Sequence, residues 1–112
     1  MPVAVSVEIL DGLKEQFLKR HNRDVARARD VWSAHVKLGE TLERDPFSGT
    51  QIPKRIFPKP FRHHDNLWKL DLPHSFRALY TALTRPGRGL RVAVEWIGDH
   101  KEYDKLFGFS TS

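Results

Sequence analysis

Between Asn66 and Phe107 apolar and polar residues alternate. In Leu67-Trp68-Lys69-Leu70-Asp71-Leu72, an extended chain puts Trp68, Leu70 and Leu72 on one face and Lys69 and Asp71 on the other. Pro73-His74-Ser75 reads as a tight turn into a second run, Phe76 to Leu83. Pro86-Gly87 and Gly89 then mark a hairpin into a third run, Leu90 to Ile97. There Leu90, Val92, Val94 and Trp96 share one face, opposite Arg91, Ala93 and Glu95. Period-two alternation between turn signals predicts three antiparallel strands, followed here by a short helical tail. A meander with one apolar and one charged face needs helices over its apolar side.

The first half of the chain supplies them. Val3, Val5 and Val7 alternate with Ala4, Ser6 and Glu8, predicting a strand over about residues 3–9. A helix is expected over 11–21, with Asp11 as its N-cap and Leu13, Phe17 and Leu18 on one face, although Gly12 blurs its start. A second is expected over 23–44, capped by Asn22 with Asp24 in its first turn, and carrying Val25, Ala28, Trp32, Val36 and Leu42 at helical spacing. It should stop by Asp45, since the residue before Pro46 is pushed out of the α region. The expected fold is a single α+β domain over 1–112. Its small antiparallel sheet joins the N-terminal strand to the meander, with both helices on one face.

Residues 46–65 have no clear period and contain Pro46, Pro53, Pro58 and Pro60, so they read as a long loop. Lys54, Arg55, Lys59 and Arg62 lie on it with no acid between them, interleaved with Phe57 and Phe61. Cations beside aromatics suit a strand of nucleic acid, phosphates meeting charge and bases meeting rings. The other reading is that the two phenylalanines pin the loop to the core. The formal charge is +5, and its distribution sharpens that figure. From Pro46 to Arg91 there are nine Lys or Arg against two acids; the rest of the chain has ten against twelve. The middle section therefore invites an anionic partner.

With no cysteine, disulfides, thiolate catalysis and thiolate zinc sites are excluded. No apolar run approaches a membrane span and no signal-like segment opens the chain, so a cytoplasmic location is expected. His63-His64-Asp65 lacks partners at metal-ligand spacing, and no metal or other cofactor is expected. His35 should lie half-buried beside Trp32.

The order strand, helix, helix, basic loop, three strands, tail resembles the RelE/ParE superfamily of toxins from type II toxin–antitoxin systems. The residues that carry the resemblance are Leu67-Trp68-Lys69-Leu70, Phe76-Arg77-Ala78-Leu79-Tyr80 and Ile97-Gly98-Asp99-His100-Lys101-Glu102-Tyr103. The layout is similar over nearly the whole chain, and specific over residues 66–109. The resemblance implies a microbial-ribonuclease-like sheet and, on the nuclease branch, metal-independent cleavage of mRNA on the ribosome. It also implies a cognate antitoxin protein as partner. Other members of the superfamily poison DNA gyrase instead, and others are inactive binding modules.

In the nuclease reaction the ribose 2′-hydroxyl attacks the adjacent phosphorus and the 5′-oxygen leaves. This needs a base, an acid and fixed positive charge for the phosphate. The resemblance places Lys69 and Arg77 on the phosphate. His100 is the one tail residue of a type that titrates near neutrality, and so the expected acid or base. Tyr103, three residues on, is expected to donate a proton or stack on a base. Asp71 departs from the pattern, standing where nucleases carry a second basic residue. It either takes over as base or repels phosphate. Arg77 pairing with Asp71, a capping box of Asp99 with Glu102, and Tyr103 and Phe107 as core contacts are the structural alternatives.

Overall fold

A computed structural model describes residues 4–109. Among them the element order is β1 (Val5–Ile9), α1 (Leu13–Arg20), α2 (Val25–Arg44), β2 (Thr50–Gln51), β3 (Trp68–Asp71), β4 (Arg77–Arg85), β5 (Gly89–Gly98) and α3 (His100–Phe107). The fold is α+β: a five-stranded mixed sheet in the order β1-β5-β4-β3-β2, with three helices. The first strand was expected to begin near Val3, which lies outside the described residues.

Both early helices form because their apolar residues recur on one face. Leu13 and Phe17 of α1 and Ala28, Val31, Trp32 and Leu42 of α2 are buried against Leu70, Ala78, Tyr80, Val92, Val94 and Ile97 of the sheet. The capping differs from expectation by a residue or two. Gly12 is the N-cap of α1 at φ 80°, with no side-chain bond, so Asp11 does not cap it. Asp24 rather than Asn22 caps α2, its Oδ1 accepting the Arg27 N–H at 3.0 Å. Asp45 ends α2, as Pro46 requires.

Two features of the sheet correct the sequence reading. The sheet is not wholly antiparallel, because β1 runs parallel to β5, from Val5 opposite Leu90 to Ile9 opposite Val94. The two strands are far apart in sequence, so no hairpin dictates their relative direction. The sheet also has a fifth strand, β2, inside the proline-rich segment and antiparallel to β3. Its two residues are too few to show a period.

A third correction concerns Trp96. Leu79 faces Trp96 but Tyr80 faces Val94, so Glu95 is an extra residue on β5. This β-bulge reverses the alternation beyond it. Val92 and Val94 point to the helices, whereas Trp96 turns to the opposite face and Ile97 returns to the helical side. The second face is therefore not simply charged. Ile52, Phe57, Phe61, Leu67, Leu79 and Tyr103 form their own buried cluster there, flanked by Trp96, Leu106 and Phe107.

That cluster fixes the segment between β2 and β3. Phe57 and Phe61 are buried, so they pin it, and the chain around them follows two short 3-10 turns, Lys54–Ile56 and Lys59–Phe61. Asn66 bonds both backbone groups of Ala82 at 2.8 Å. Tyr80, fully buried on β4, donates its hydroxyl to the Pro46 carbonyl at 3.0 Å and accepts the Gly49 N–H at 3.1 Å. A side chain at Gly49 would meet the Lys69 carbonyl at 2.6 Å, so only glycine lets the segment approach β3. Tyr80→Phe leaves two backbone groups without their partner, which should cost about 1–2 kcal/mol in a denaturant melt. An unchanged melt would mean that this anchor is immaterial.

Candidate functional site

On the second face, beside the buried cluster, β3 and β4 bring together three side chains that the sequence singled out, Lys69, Asp71 and Arg77. Cross-strand pairing sets Lys69 opposite Leu79 and Asp71 opposite Arg77. Lys69 and Asp71 are two apart on one strand and share a face, and both cations converge on the same carboxylate oxygen. Lys69 Nζ lies 3.5 Å and Arg77 Nε 3.7 Å from Asp71 Oδ1. Asp71 is the exposed partner, its side chain 73% accessible against 22% for Lys69 and 27% for Arg77. The Arg77–Asp71 pairing foreseen as a surface alternative is therefore present, as a long contact worth at most about 1 kcal/mol.

Tyr103 supports this cluster from beneath. The Arg77 guanidinium carbon stands 4.8 Å from the centre of the Tyr103 ring, in the range of a cation–π contact. Tyr103 in turn stacks on Phe107 at 4.4 Å and is buried. Burial pushes its phenol pKa up, the Arg77 charge opposing in part, so the phenol keeps its proton. Tyr103 and Phe107 are thus contacts of the second cluster, the alternative raised for both.

His100 is not placed with them. It opens α3 and lines a different depression, an open cleft of about 460 Å³ shared with Arg20, Arg23, His74, Asp99 and Lys101. Lys69, Arg77 and Tyr103 do not line that cleft. The reason lies in the helix start. Asp99 caps α3 and accepts the Glu102 N–H at 2.8 Å, while Glu102 Oε1 accepts the Asp99 N–H at 2.9 Å. This capping box fixes the first turn with His100 on the helical side of the sheet's end.

Glu102 also ties α3 to α1. Its Oε2 accepts from Arg20 Nε at 2.9 Å, and its Oε1 lies 2.6 Å from His21 Nε2. Burial alone would raise its pKa, but the Asp99 N–H, Arg20 and His21 outweigh that and hold it below the usual carboxylate value. His21, Asp99 and Glu102 offer three ligand atoms within 4.8 Å of one another, the one such group among the described residues. Hydrogen bonds to the capping backbone, Arg20 and His21 already occupy Glu102, so the trio acts as a latch between helices. His64 Nε2 lies 2.8 Å from Glu95 Oε2 on β5, and its ring lies 4.1 Å from that of His63.

Lys54, Arg55, Lys59 and Arg62 are all exposed on the two short turns whose phenylalanines are buried. The rings are thus spent on packing and the charge faces water. Any role of these four residues in binding RNA is through charge alone. No protein-family model, no curated protein and no solved structure matches the chain. No helix among the described residues is long and apolar enough to cross a membrane.

Two groups differ from the sequence reading, which expected His35 to lie half-buried and gave His21 no partner. His35 is fully buried, and nothing accepts from or donates to its Nδ1 among the described residues. His21, read only as a helix residue, is a partner of Glu102. The capping-box spacing of Asp99 and Glu102 was the available signal for the α3 turn, but not for its docking on α1.

Proposed function

We propose that the chain is the toxin half of a type II toxin–antitoxin pair, similar to the RelE branch of the RelE/ParE superfamily, and cleaves mRNA on the ribosome. The observation that carries this reading is the convergence of Lys69 and Arg77 on the Asp71 carboxylate. An RNA phosphate takes the place of the Asp71 carboxylate between the two cations. The displaced carboxylate, which is exposed, accepts the proton of the 2′-hydroxyl as that oxygen attacks phosphorus. The bond from phosphorus to the 5′-oxygen breaks. The leaving oxygen takes a proton from the Lys69 ammonium, since a guanidinium does not give one up. Arg77 holds the phosphate oxygens through its planar fork, braced by Tyr103. His100, in the neighbouring cleft, has no part in proton transfer.

The four loop cations Lys54, Arg55, Lys59 and Arg62 extend the positive field along the strand of RNA. A cytoplasmic setting and an acidic antitoxin that covers this face belong to the same reading. Asp71→Asn tests it. The amide keeps the shape and removes the base, so single-turnover cleavage of ribosome-bound mRNA should fall at least about 100-fold while RNA affinity holds or rises. Weaker RNA binding with unchanged cleavage would remove Asp71 from the chemistry. Growth arrest with intact mRNA and inhibited supercoiling would favour a gyrase poison.

A further inference from the structure

The cleft that receives His100 is formed where three segments meet: the α1–α2 joint with Arg23, the turn before β4 with His74 and Ser75, and the first turn of α3 with His100 and Lys101. Its lining carries a net positive charge. Arg20, Arg23, Arg27 and Lys101 are opposed only by Asp24 and Asp99. Several of these charges are spent internally. Arg20 is tied to Glu102, Arg27 to Asp24 at 3.3 Å, and His74 to Asp30 at 3.2 Å. Asp24 and Asp99 are held at their helix caps. Arg23, His100 and Lys101 are exposed and pair with no acid among the described residues.

The turn adds an independent sign. His74 and Ser75 both have positive φ, 61° and 63°, a conformation that costs energy for residues other than glycine. It is held by the Phe76 N–H bonding to Pro73 and by the Leu72 N–H bonding to Phe76. Consecutive outliers of this kind gather at sites that meet a ligand. The one aromatic ring of the lining other than histidine, Phe76, is buried, so the cleft offers charge without a stacking platform. That composition suits the sugar–phosphate backbone and not the bases.

The cleft and the Lys69–Arg77 cluster are contiguous through two elements. Phe76 lines the cleft and Arg77 follows it on the other face; Lys101 lines the cleft and Tyr103 lies two residues on. From this we infer that the cleft is a second phosphate-binding site, with Arg23 and Lys101 as its principal contacts. It takes the backbone of the same RNA strand as it passes round the end of the sheet from the cleavage site. The inference rests on the reading of the chain as an RNA-cleaving protein.

The test measures binding of fluorescein-labelled single-stranded RNA to the full chain across a salt series, with cleavage blocked by 2′-deoxy substitution. One probe is about twelve nucleotides long and the other about three. For Arg23→Ala with Lys101→Ala, the long probe should bind about 10–100-fold more weakly, and its salt slope should flatten by about 1.4, two phosphate contacts at about 0.7 each. The short probe should be unaffected. Lys69→Ala with Arg77→Ala should weaken both probes. Both variants change exposed or half-exposed side chains, and circular dichroism checks that each is folded. If both probes depend on Lys69 and Arg77 but neither on Arg23 and Lys101, the cleft proposal fails and the function stands. If no variant alters either probe, the functional reading fails. Competition by free inorganic pyrophosphate that is lost in the cleft variant, without any effect of that variant on the long probe, would assign the cleft to a small phosphate and overturn the strand path. Capture of a glutamate-rich peptide by the cleft in place of RNA would overturn phosphate binding itself.

Discussion

Arg77→Ala is expected to lower kcat/KM for mRNA cleavage by about 10³–10⁵-fold. Two losses multiply. A preorganised donor facing the charge that develops on phosphate is worth about 10²–10³ in kcat. A charge-assisted contact to the bound phosphate adds about 10–100-fold through KM. The position of Arg77 makes the effect specific to this residue. It opens β4 directly across from Asp71, with its guanidinium over the Tyr103 ring. Arg77→Lys should recover only part of the loss, because an ammonium keeps the charge without the planar fork or the stacking face. Single-turnover kinetics on programmed ribosomes measure both. Full activity in Arg77→Lys would show that a point charge suffices and that the Tyr103 brace is irrelevant.

The second large effect is on stability, and comes from His35. This residue is buried beside Trp32, with ring centres 4.8 Å apart. Burial lowers its pKa from 6.5 to about 4. The folded chain therefore holds His35 neutral over a range where the unfolded chain protonates it. Stability from this group is complete above about pH 6.5 and is lost as pH falls towards 4, because the unfolded state then binds the extra proton. The loss across that window is about 3 kcal/mol. Urea melts between pH 7 and pH 4 should show it, and His35→Leu should flatten that part of the profile. Glu102 acts in a lower window. Its pKa is held below the usual 4.5, so its contribution persists as pH falls and disappears only on passing below that value. A profile that is flat from pH 6.5 to 4.5 in the unaltered chain would contradict the burial of His35.

The helices and the three strands of the meander were legible because long periodic segments declare their faces. Leu13 and Phe17, then Ala28, Trp32 and Leu42, repeat at helical spacing and end buried together, whereas Val25 and Val36 of the same row are exposed. What was not legible depended on long-range pairing. Nothing local to Val5–Ile9 says that its partner is β5 or that the two run parallel. Thr50–Gln51 becomes a strand only because Gly49 lets it approach Lys69. The bulge at Glu95 sent Trp96 to the face opposite Val94, and no residue type in Val94-Glu95-Trp96 announces an extra residue.

The candidate site divides in the same way. Lys69, Asp71 and Arg77 met because strand alternation and a short turn fix them locally. The resemblance grouped His100 with Tyr103, yet a separation of three residues on a helix still leaves their directions about 60° apart. At the first turn of α3 that angle divides the helical side of the sheet's end from its other face. The signal that would have shown this is the capping box, which sets how the turn begins. The charge of the loop was legible, whereas the burial of Phe57 and Phe61 depended on the second cluster they enter.

The most direct test of the central claim reads the ends of the RNA fragments. Purified chain is incubated with ribosomes translating a defined mRNA, and the termini are characterised chemically. Attack by the 2′-hydroxyl with departure of the 5′-oxygen leaves a 2′,3′-cyclic phosphate on one fragment and a 5′-hydroxyl on the other. Those ends, lost in Arg77→Ala and Asp71→Asn but kept in His100→Ala, are the predicted result. Fragments carrying 5′-phosphates, or mRNA that stays intact under the same conditions, would contradict it.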